Sequence, residues 1–399
     1  MMQQAAPNRT LTMTTKSTVL KTLTATAVLC ALSATAQAAT IGGTDVTYGG
    51  YIKLDAMWSD YSAGAPAGTN VGRDFYVPST LTVGADNNSD AVFDMHARQS
   101  RFNFGTSTLL DNGKTISSKI EIDFLASAAG GNERVSNSYA PRIRHAFISY
   151  DGWLFGQTWS NFQNVGALPE TLDFVGPAEG TVFVRQAQVK YTTGAWSFSL
   201  ENPESTITTS NGMAVTDDAS LPDFTARYTH TADWGNLVVA ALARQLTYKV
   251  GGLDADETSI GISASGMFKV GQDNVKFMLT QGKGLGRYVG LNVAHGAVLN
   301  GDELDAIDST SGFIAYQHNW NNQWRSTFLY SFFSADNNTD LLTITGDPTE
   351  SSQSYSANIL YSPVKRLTFG AELKHAERET ESGVDGDLDR LQFSVKYAF

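Results

Sequence analysis

From residue 40 onward apolar and polar side chains alternate, which sets successive residues on opposite faces of an extended chain. Segment 115–125 shows the pattern well: Ile116, Ile120, Ile122 and Phe124 share one face, and Ser117, Lys119, Glu121 and Asp123 the other. Segment 324–332 sets Trp324, Phe328, Tyr330 and Phe332 against Arg325, Thr327 and Ser331. The last segment sets Leu391, Phe393, Val395, Tyr397 and Phe399 against Gln392, Ser394 and Lys396. The pattern predicts strands over 46–57, 98–108, 115–125, 142–151, 153–159, 183–192, 195–202, 224–231, 236–248, 257–268, 273–281, 310–319, 323–334, 353–362, 367–376 and 388–398.

The connections alternate in length. Short ones such as Asp111-Asn112-Gly113, Asp151-Gly152, Thr193-Gly194 and Gly271-Gln272 carry hairpin-turn chemistry. Mostly longer ones lie between them, over 58–97, 126–141, 160–182, 203–223, 249–256, 282–309, 335–352 and 377–387. A soluble all-β sandwich, the competing fold, has no reason to keep its long loops at one end. An outer-membrane barrel does, with short periplasmic turns and long extracellular loops. Lipid also demands closure, because an open sheet edge would leave backbone groups unpaired. The fold class expected is all-β: a transmembrane antiparallel β-barrel of sixteen strands over 39–399, with aromatic residues at strand ends as an interfacial girdle.

Composition narrows the alternatives. Only 17% of the 399 residues are charged, below the roughly 25% usual in soluble domains. No apolar run past residue 40 approaches the 18 or so residues of a membrane-crossing helix. One cysteine excludes a disulfide scaffold, and a net charge of −12 argues against nucleic acid as a partner. Lys16 and Lys21 precede an apolar stretch, Leu23 to Leu32, that leads into Ala36-Gln37-Ala38. Residues 1–38 therefore read as a signal peptide cleaved after Ala38. A short membrane anchor is the competing reading of that segment. It holds Cys30, so the exported chain is expected to lack cysteine.

Three stretches carry a resemblance when taken together. They are Arg98-Gln99-Ser100-Arg101-Phe102, Arg144-His145-Ala146-Phe147, and Phe155-Gly156-Gln157-Thr158-Trp159-Ser160-Asn161-Phe162 running on to Pro169-Glu170-Thr171-Leu172-Asp173-Phe174-Val175-Gly176-Pro177 and Arg185-Gln186. Their combination resembles the DcaP-like family of trimeric outer-membrane porins over roughly residues 98–191; the other strands match in general pattern alone. The resemblance implies a sixteen-stranded barrel, a homotrimer, and uptake of small, often anionic, solutes such as dicarboxylates. Some members carry a periplasmic coiled coil before the barrel; residues 39–45 leave no room for one.

If apolar faces meet lipid, the opposite faces line the lumen. That face holds Lys53, Asp55, Arg101, Lys119, Glu121, Asp123, Lys190, Arg227, Arg244, Lys276, Arg325, Lys374 and Lys396, while acids concentrate in loops. Fixed cations in a narrow passage favour anions over cations. The bland alternative is that these groups merely keep the pore wet. Loop 160–182 is the third long loop, and in sixteen-stranded porins that loop commonly folds inward. Its Glu170, Asp173 and Glu179 are expected to face a basic wall of Arg101, Arg144 and Arg185, which gives a transverse field. Parity is clear for Arg101. Arg144 shares a face with Ala146, Ile148 and Tyr150, and Arg185 with Ala187, Val189 and Tyr191, so both can also be read as outward; a subunit interface would blur the rule there. The partners expected are solutes, membrane lipid and lipopolysaccharide, and further copies of the chain.

A barrel enzyme and a purely structural or adhesive barrel are the rival functions. The six histidines, His96, His145, His230, His295, His318 and His375, are scattered without metal-ligand spacing. No nucleophile elbow or phosphate loop stands in a matching context; Gly282-Lys283-Gly284-Leu285-Gly286 lies between strands. No catalytic residue, cofactor or metal is expected. The acidic loops read as a solvated surface, with divalent-cation binding as the alternative.

Overall fold

The computed structural model describes residues 37–85, 91–126 and 136–399. The signal peptide expected over residues 1–38 lies almost wholly outside the described residues. Sixteen antiparallel strands close on themselves. In chain order they are β1 (Thr44–Tyr61), β2 (Arg101–Leu109), β3 (Thr115–Asp123), β4 (Arg142–Tyr150), β5 (Trp153–Trp159), β6 (Arg185–Thr193), β7 (Trp196–Glu201) and β8 (Asp223–Ala232). Then follow β9 (Gly235–Val250), β10 (Leu253–Val270), β11 (Asp273–Lys283), β12 (Asp308–Asn319), β13 (Trp324–Asp336), β14 (Thr349–Val364), β15 (Leu367–Thr380) and β16 (Asp385–Ala398). Each pairs with its sequence neighbour. β1 closes the ring by pairing with β2 on one side and β16 on the other.

Parity sorts the faces as the pattern predicts. Ile120, Phe155, Leu200, Ile262, Ile314 and Leu373 are exposed outward, while Glu121, Ser199, Ser263 and Lys374 beside them are buried inward. Four tryptophans next to short turns meet an aromatic on the adjacent strand: Trp153 with Tyr191, Trp196 with Tyr228, Trp234 with Phe268 and Trp324 with Tyr361, at ring separations of 4.4–5.2 Å. They form the girdle of the short-turn rim.

The largest departures from the pattern lie towards the long-loop ends of the strands. The second strand begins at Arg101 and not at 98, and a short strand, Val92–His96, forms within the expected loop 58–97; it pairs with the upper half of β1, and β2 with the lower half. Between them Ser100 Oγ accepts from the Lys53 amide at 3.1 Å, so a side chain replaces a ladder bond. Loop 249–256 contracts to the Gly251-Gly252 turn, and 377–387 to residues 381–384, because β9, β10, β15 and β16 continue past the apolar belt as solvated ribbons.

The long-loop half of the barrel is filled by three segments that fold inward. Loop 160–184 crosses the lumen and lies against the opposite wall. Gly180 shows how closely: a Cβ there would stand 2.1 Å from the Gly312 carbonyl oxygen of β12. The loop between β1 and the short strand packs Phe75, Tyr76, Val77 and Leu81 against Val175, Ala178 and Leu388. The loop after β11 packs Tyr288, Val289 and Val293 against Val182, Met278 and Phe333. Each fully buried large side chain here, such as Tyr76, Phe162 or Tyr288, contributes about 1.5–3 kcal/mol. These apolar clusters inside a barrel fix the loops in place.

Candidate functional site: a cationic and aromatic wall inside the barrel

Every charged residue assigned to the lumen by parity is buried or half-buried on the inward face. What each one binds divides them into two groups.

The first group holds the inward loop. A loop laid on a barrel wall brings backbone groups that need partners. Lys53 Nζ donates to the Leu172 carbonyl (2.6 Å), Lys276 Nζ to Leu168 (2.7 Å) and Lys374 Nζ to Gly176 (2.9 Å). Arg227 Nη1 donates to the Gln163 carbonyl (2.9 Å). Glu372 accepts from the amides of Leu172 (2.8 Å) and Asp173 (3.0 Å). Arg325 grips Glu170 with two bonds of 2.6 Å. Arg244, on β9, stands 3.3 Å from Asp223 and donates to the carbonyls of Leu285 and Glu204; its side chain is 1% exposed. It clasps two loops and presents no charge to water.

The carboxylates of the loop take a different position from the transverse arrangement expected. Glu170 is bound to Arg325 on β13. Asp173 accepts from the amides of Val175, Gly176 and Tyr76, so it caps its own turn. Glu179 is fully buried and accepts from Ser354. Glu170 and Glu179 are turned to the wall that anchors the loop, and Asp173 is turned into the loops themselves. Side chains far along the chain for Glu170 and Glu179, and mostly local amides for Asp173, decided this, and parity shows neither.

The second group lies on β2 to β6. Glu121 is 2.9 Å from Arg144, 3.0 Å from Lys119 and 3.4 Å from Arg101. Asp123 accepts two bonds from Arg142 and one from Arg144, each 2.9 Å. Four cations thus share two carboxylates. Lys119 and Arg142 keep 32% and 26% of their side chains exposed.

Arg144 faces inward although its parity with Ala146 and Ile148 left outward open. Between β3 and β4 the register slips at Glu121/Ile122, so that His145 opposes Glu121, Ile143 opposes Ile122, and Arg144 is the extra residue. A bulge re-aims a side chain in this way, and Arg144 and His145 are both buried on the inside.

Arg185 pairs with Trp159 at the upper ends of β5 and β6. β4 and β5 part company above Ala146/Gln157. Gly156 sits at that parting with φ +126°, where a Cβ would meet the Ala146 carbonyl at 2.3 Å. The Arg185 guanidinium lies 4.4 Å from the Trp159 ring and 5.7 Å from Phe183, with a buried Nη1 that has no hydrogen-bond partner. Phe174 of the inward loop lies 5.5 Å from Arg144 and 5.8 Å from Arg142. The loop therefore meets the basic wall with an aromatic ring. Sequence reading missed Arg142, and it marks Phe174 as an apolar anchor of the loop without its place beside the arginines. Arg142 falls two residues before Arg144 in an alternating run, which was the available signal; nothing local marks that place of Phe174. Lys190 lies on the inward face of β6 with Gln186 and Gln188, half-buried and without an ion pair among the described residues.

The DcaP outer membrane protein family matches residues 28–399. The outer membrane channel DcaP of Acinetobacter baumannii superposes with a TM-score of 0.75 at 25% identity, covering 90% of this chain and 99% of that one. Similar in fold alone are the anion-selective porin from Comamonas acidovorans (TM-score 0.54, 11% identity, 89% and 100% covered) and OmpF of Salmonella typhi, solved in complex with daunomycin (TM-score 0.56, 12% identity, 91% and 100% covered). No curated protein matches.

Proposed function

The chain belongs to the DcaP outer membrane protein family, an outer-membrane channel fold, and from that premise we propose a passive channel for small anionic solutes of dicarboxylate size. The observation that carries this reading is the wall on β2 to β6, where four cations share two carboxylates while the acids of the inward loop are bound elsewhere. An anion entering from the long-loop side exchanges part of its hydration for the partly exposed donors of Lys119, Arg142 and Arg101. Arg185 offers one unused donor. Phe174 and Trp159 shape the passage and thin the water around the charges, which strengthens attraction there. Lys190 continues the positive lining towards the periplasm. Several weak stations in series let a solute bind and still leave. The family's channels are not enzymes, and catalysis has no place in this reading.

A homotrimer exported through a cleaved leader completes the proposal. On the outer face of β2 and β3, Thr106 and Ser118 hydrogen-bond each other at 2.6 Å in an otherwise apolar band. A polar pair at that depth suits a subunit contact better than lipid. Sedimentation or native mass spectrometry of the detergent-extracted protein reads the stoichiometry.

Reversal potentials in planar bilayers test the selectivity. The wild-type channel should prefer chloride over potassium, and the Arg101→Glu/Lys119→Glu double variant should reverse that preference. Unchanged selectivity in a folded double variant refutes the role of this wall.

A further inference from the structure

The two ends of the inward loop are held by different means. As far as Gly176, charged groups reach out to it from the wall: Lys53, Arg227, Lys276, Arg325, Lys374 and Glu372. The last part, residues 177–184, has one charged residue, Glu179. Its side chain is 0% exposed. Oε2 accepts from Ser354 Oγ at 2.9 Å, and Oε1 has no hydrogen-bond partner. Glu170 of the same loop has Arg325 as counter-ion; Glu179 has no ion pair among the described residues. A buried carboxyl in that position keeps its proton, because the charged form is costly to bury. The backbone leaves it no room to withdraw. The Gly180 amide donates to Ser331 Oγ at 2.9 Å, and a Cβ on Gly180 would stand 2.1 Å from the Gly312 carbonyl oxygen.

The groups packed around Glu179 do not supply the missing charge. The loop after β1 brings Tyr76, whose hydroxyl lies 3.3 Å from Ser352 Oγ. β13 and β14 present the hydroxyls of Ser331 and Ser354. On β15, the Lys374 Nζ is taken by the Gly176 carbonyl, and Arg378 by Thr349 and the Leu81 carbonyl. Glu372 of β15 and Asp173 of the loop add negative charge, each held by loop amides. β12 and the loop after β11 meet the segment with Gly312 and Gly290, which are uncharged. Burial raises the Glu179 carboxyl above the ordinary glutamate value, against the pull of Lys374 and of the Ser331 and Tyr76 hydroxyls.

The same segment ends at the passage. Four residues beyond Glu179, the Phe183 ring packs 4.7 Å from Trp159 and 5.7 Å from Phe174, and the Arg185 guanidinium lies 5.7 Å from it. We infer that Glu179 is a proton-held latch: uncharged, it seats residues 177–184 on β13 and β14, and loss of its proton in alkali frees them and draws Phe183 away from Trp159 and Arg185. The sign follows from linkage. A glutamate raised in the seated state contributes fully below its free value, about 4.3, and that contribution is lost as pH rises through the raised value. The aromatic side of the passage is therefore tight in weak acid and loosens in alkali. The latch rests on the seating of the loop and not on which ions the lumen prefers.

Two measurements on the purified full-length protein test it, with unheated gel mobility as the check that each variant is folded. Infrared spectroscopy in detergent reads the proton directly. At about pH 6 the wild type should show a protonated-carboxyl band that Glu179→Gln lacks, and at about pH 10 the wild type should have lost it. Identical spectra at the lower pH mean that Glu179 is already ionised, and a band that persists at the higher pH means that it never releases; either overturns the latch. In planar bilayers the open-channel noise of the wild type should rise about fivefold between the same two pH values, while Glu179→Gln stays quiet at both. An equal rise in the two proteins overturns the link to the loop. Lys374→Gln removes the cation that favours ionisation, so its carboxyl band should survive to a higher pH than in wild type. This variant carries the test if Glu179→Gln does not fold, and a loss of the band at the same or a lower pH overturns the assignment.

Discussion

The wall from β2 to β6 and the wall from β8 round to β1 both turn cations inward, and the two use them differently. On the first, Arg101, Lys119, Arg142 and Arg144 have two carboxylates among them, and all but the buried Arg144 keep part of their surface in water. On the second, Arg227, Arg244, Lys276, Arg325, Lys374 and Lys53 are engaged by loop carbonyls or single acids. An inward charge whose donors are taken by loop backbone is an anchor. An inward charge whose acid is shared still attracts an ion. Counting lumen charges by parity treats the two alike, and the field a solute meets depends on telling them apart.

The largest effect expected from breaking this division is on folding, at the anchoring wall. Arg244→Met leaves Asp223 buried without its counter-charge, and losing one partner of a buried pair costs about 3–5 kcal/mol. The unfolding midpoint in urea, read by heat-modifiable gel mobility, should fall accordingly. Selectivity of whatever folds should match wild type. A clear loss of anion preference without destabilisation would place Arg244 in the water path and erase the distinction between the walls.

Next in size is Arg144→Met on the other wall. One of four cations disappears while Glu121 and Asp123 remain, so the local charge balance moves towards neutrality. The anion-to-cation permeability ratio should fall several-fold. Stability should change less than in Arg244→Met, because Arg142, Arg101 and Lys119 still compensate both acids.

How far the sequence reached follows the same line. Strand count and closure were legible because a half-buried strand must alternate, and all thirteen charged residues that parity assigned to the lumen are buried or half-buried. Arg144 was not legible, because one extra residue in β4 resets the alternation and no residue type marks the slip. Nor were the directions of Glu170, Asp173 and Glu179. Glu170 and Glu179 depend on residues more than a hundred positions away, Arg325 and Ser354, and Asp173 on amides that every residue possesses. Arg244 gave the right face and the wrong role, since facing inward does not reveal a loop lying on top.

The pair Glu170–Arg325 sharpens the comparison through a double-mutant cycle. Glu170→Gln should release the loop from β13 and add noise to the open-channel current. Arg325→Met should do the same. The double variant should be no worse than either single change, because residues in direct contact couple by about 0.5–3 kcal/mol. Additive effects would mean that Glu170 stands free in the lumen, opposite the arginines after all.

Phe174→Ala asks for the smallest effect and bears on what the two walls jointly build. The ring sits between the loop's apolar packing, 5.1 Å from Phe75 and 5.7 Å from Phe183, and the guanidinium of Arg144. An aromatic face is worth about 0.5–1 kcal/mol to a nearby cation, more where water is thin. Its removal widens the passage and rehydrates Arg142 and Arg144, so conductance should rise and block by succinate should weaken about two- to fivefold. The sign of selectivity should survive, since no charge is lost. If block by succinate instead strengthens, water at the arginines helps the solute bind, and the ring serves only to hold the loop against its own hydrophobic neighbours.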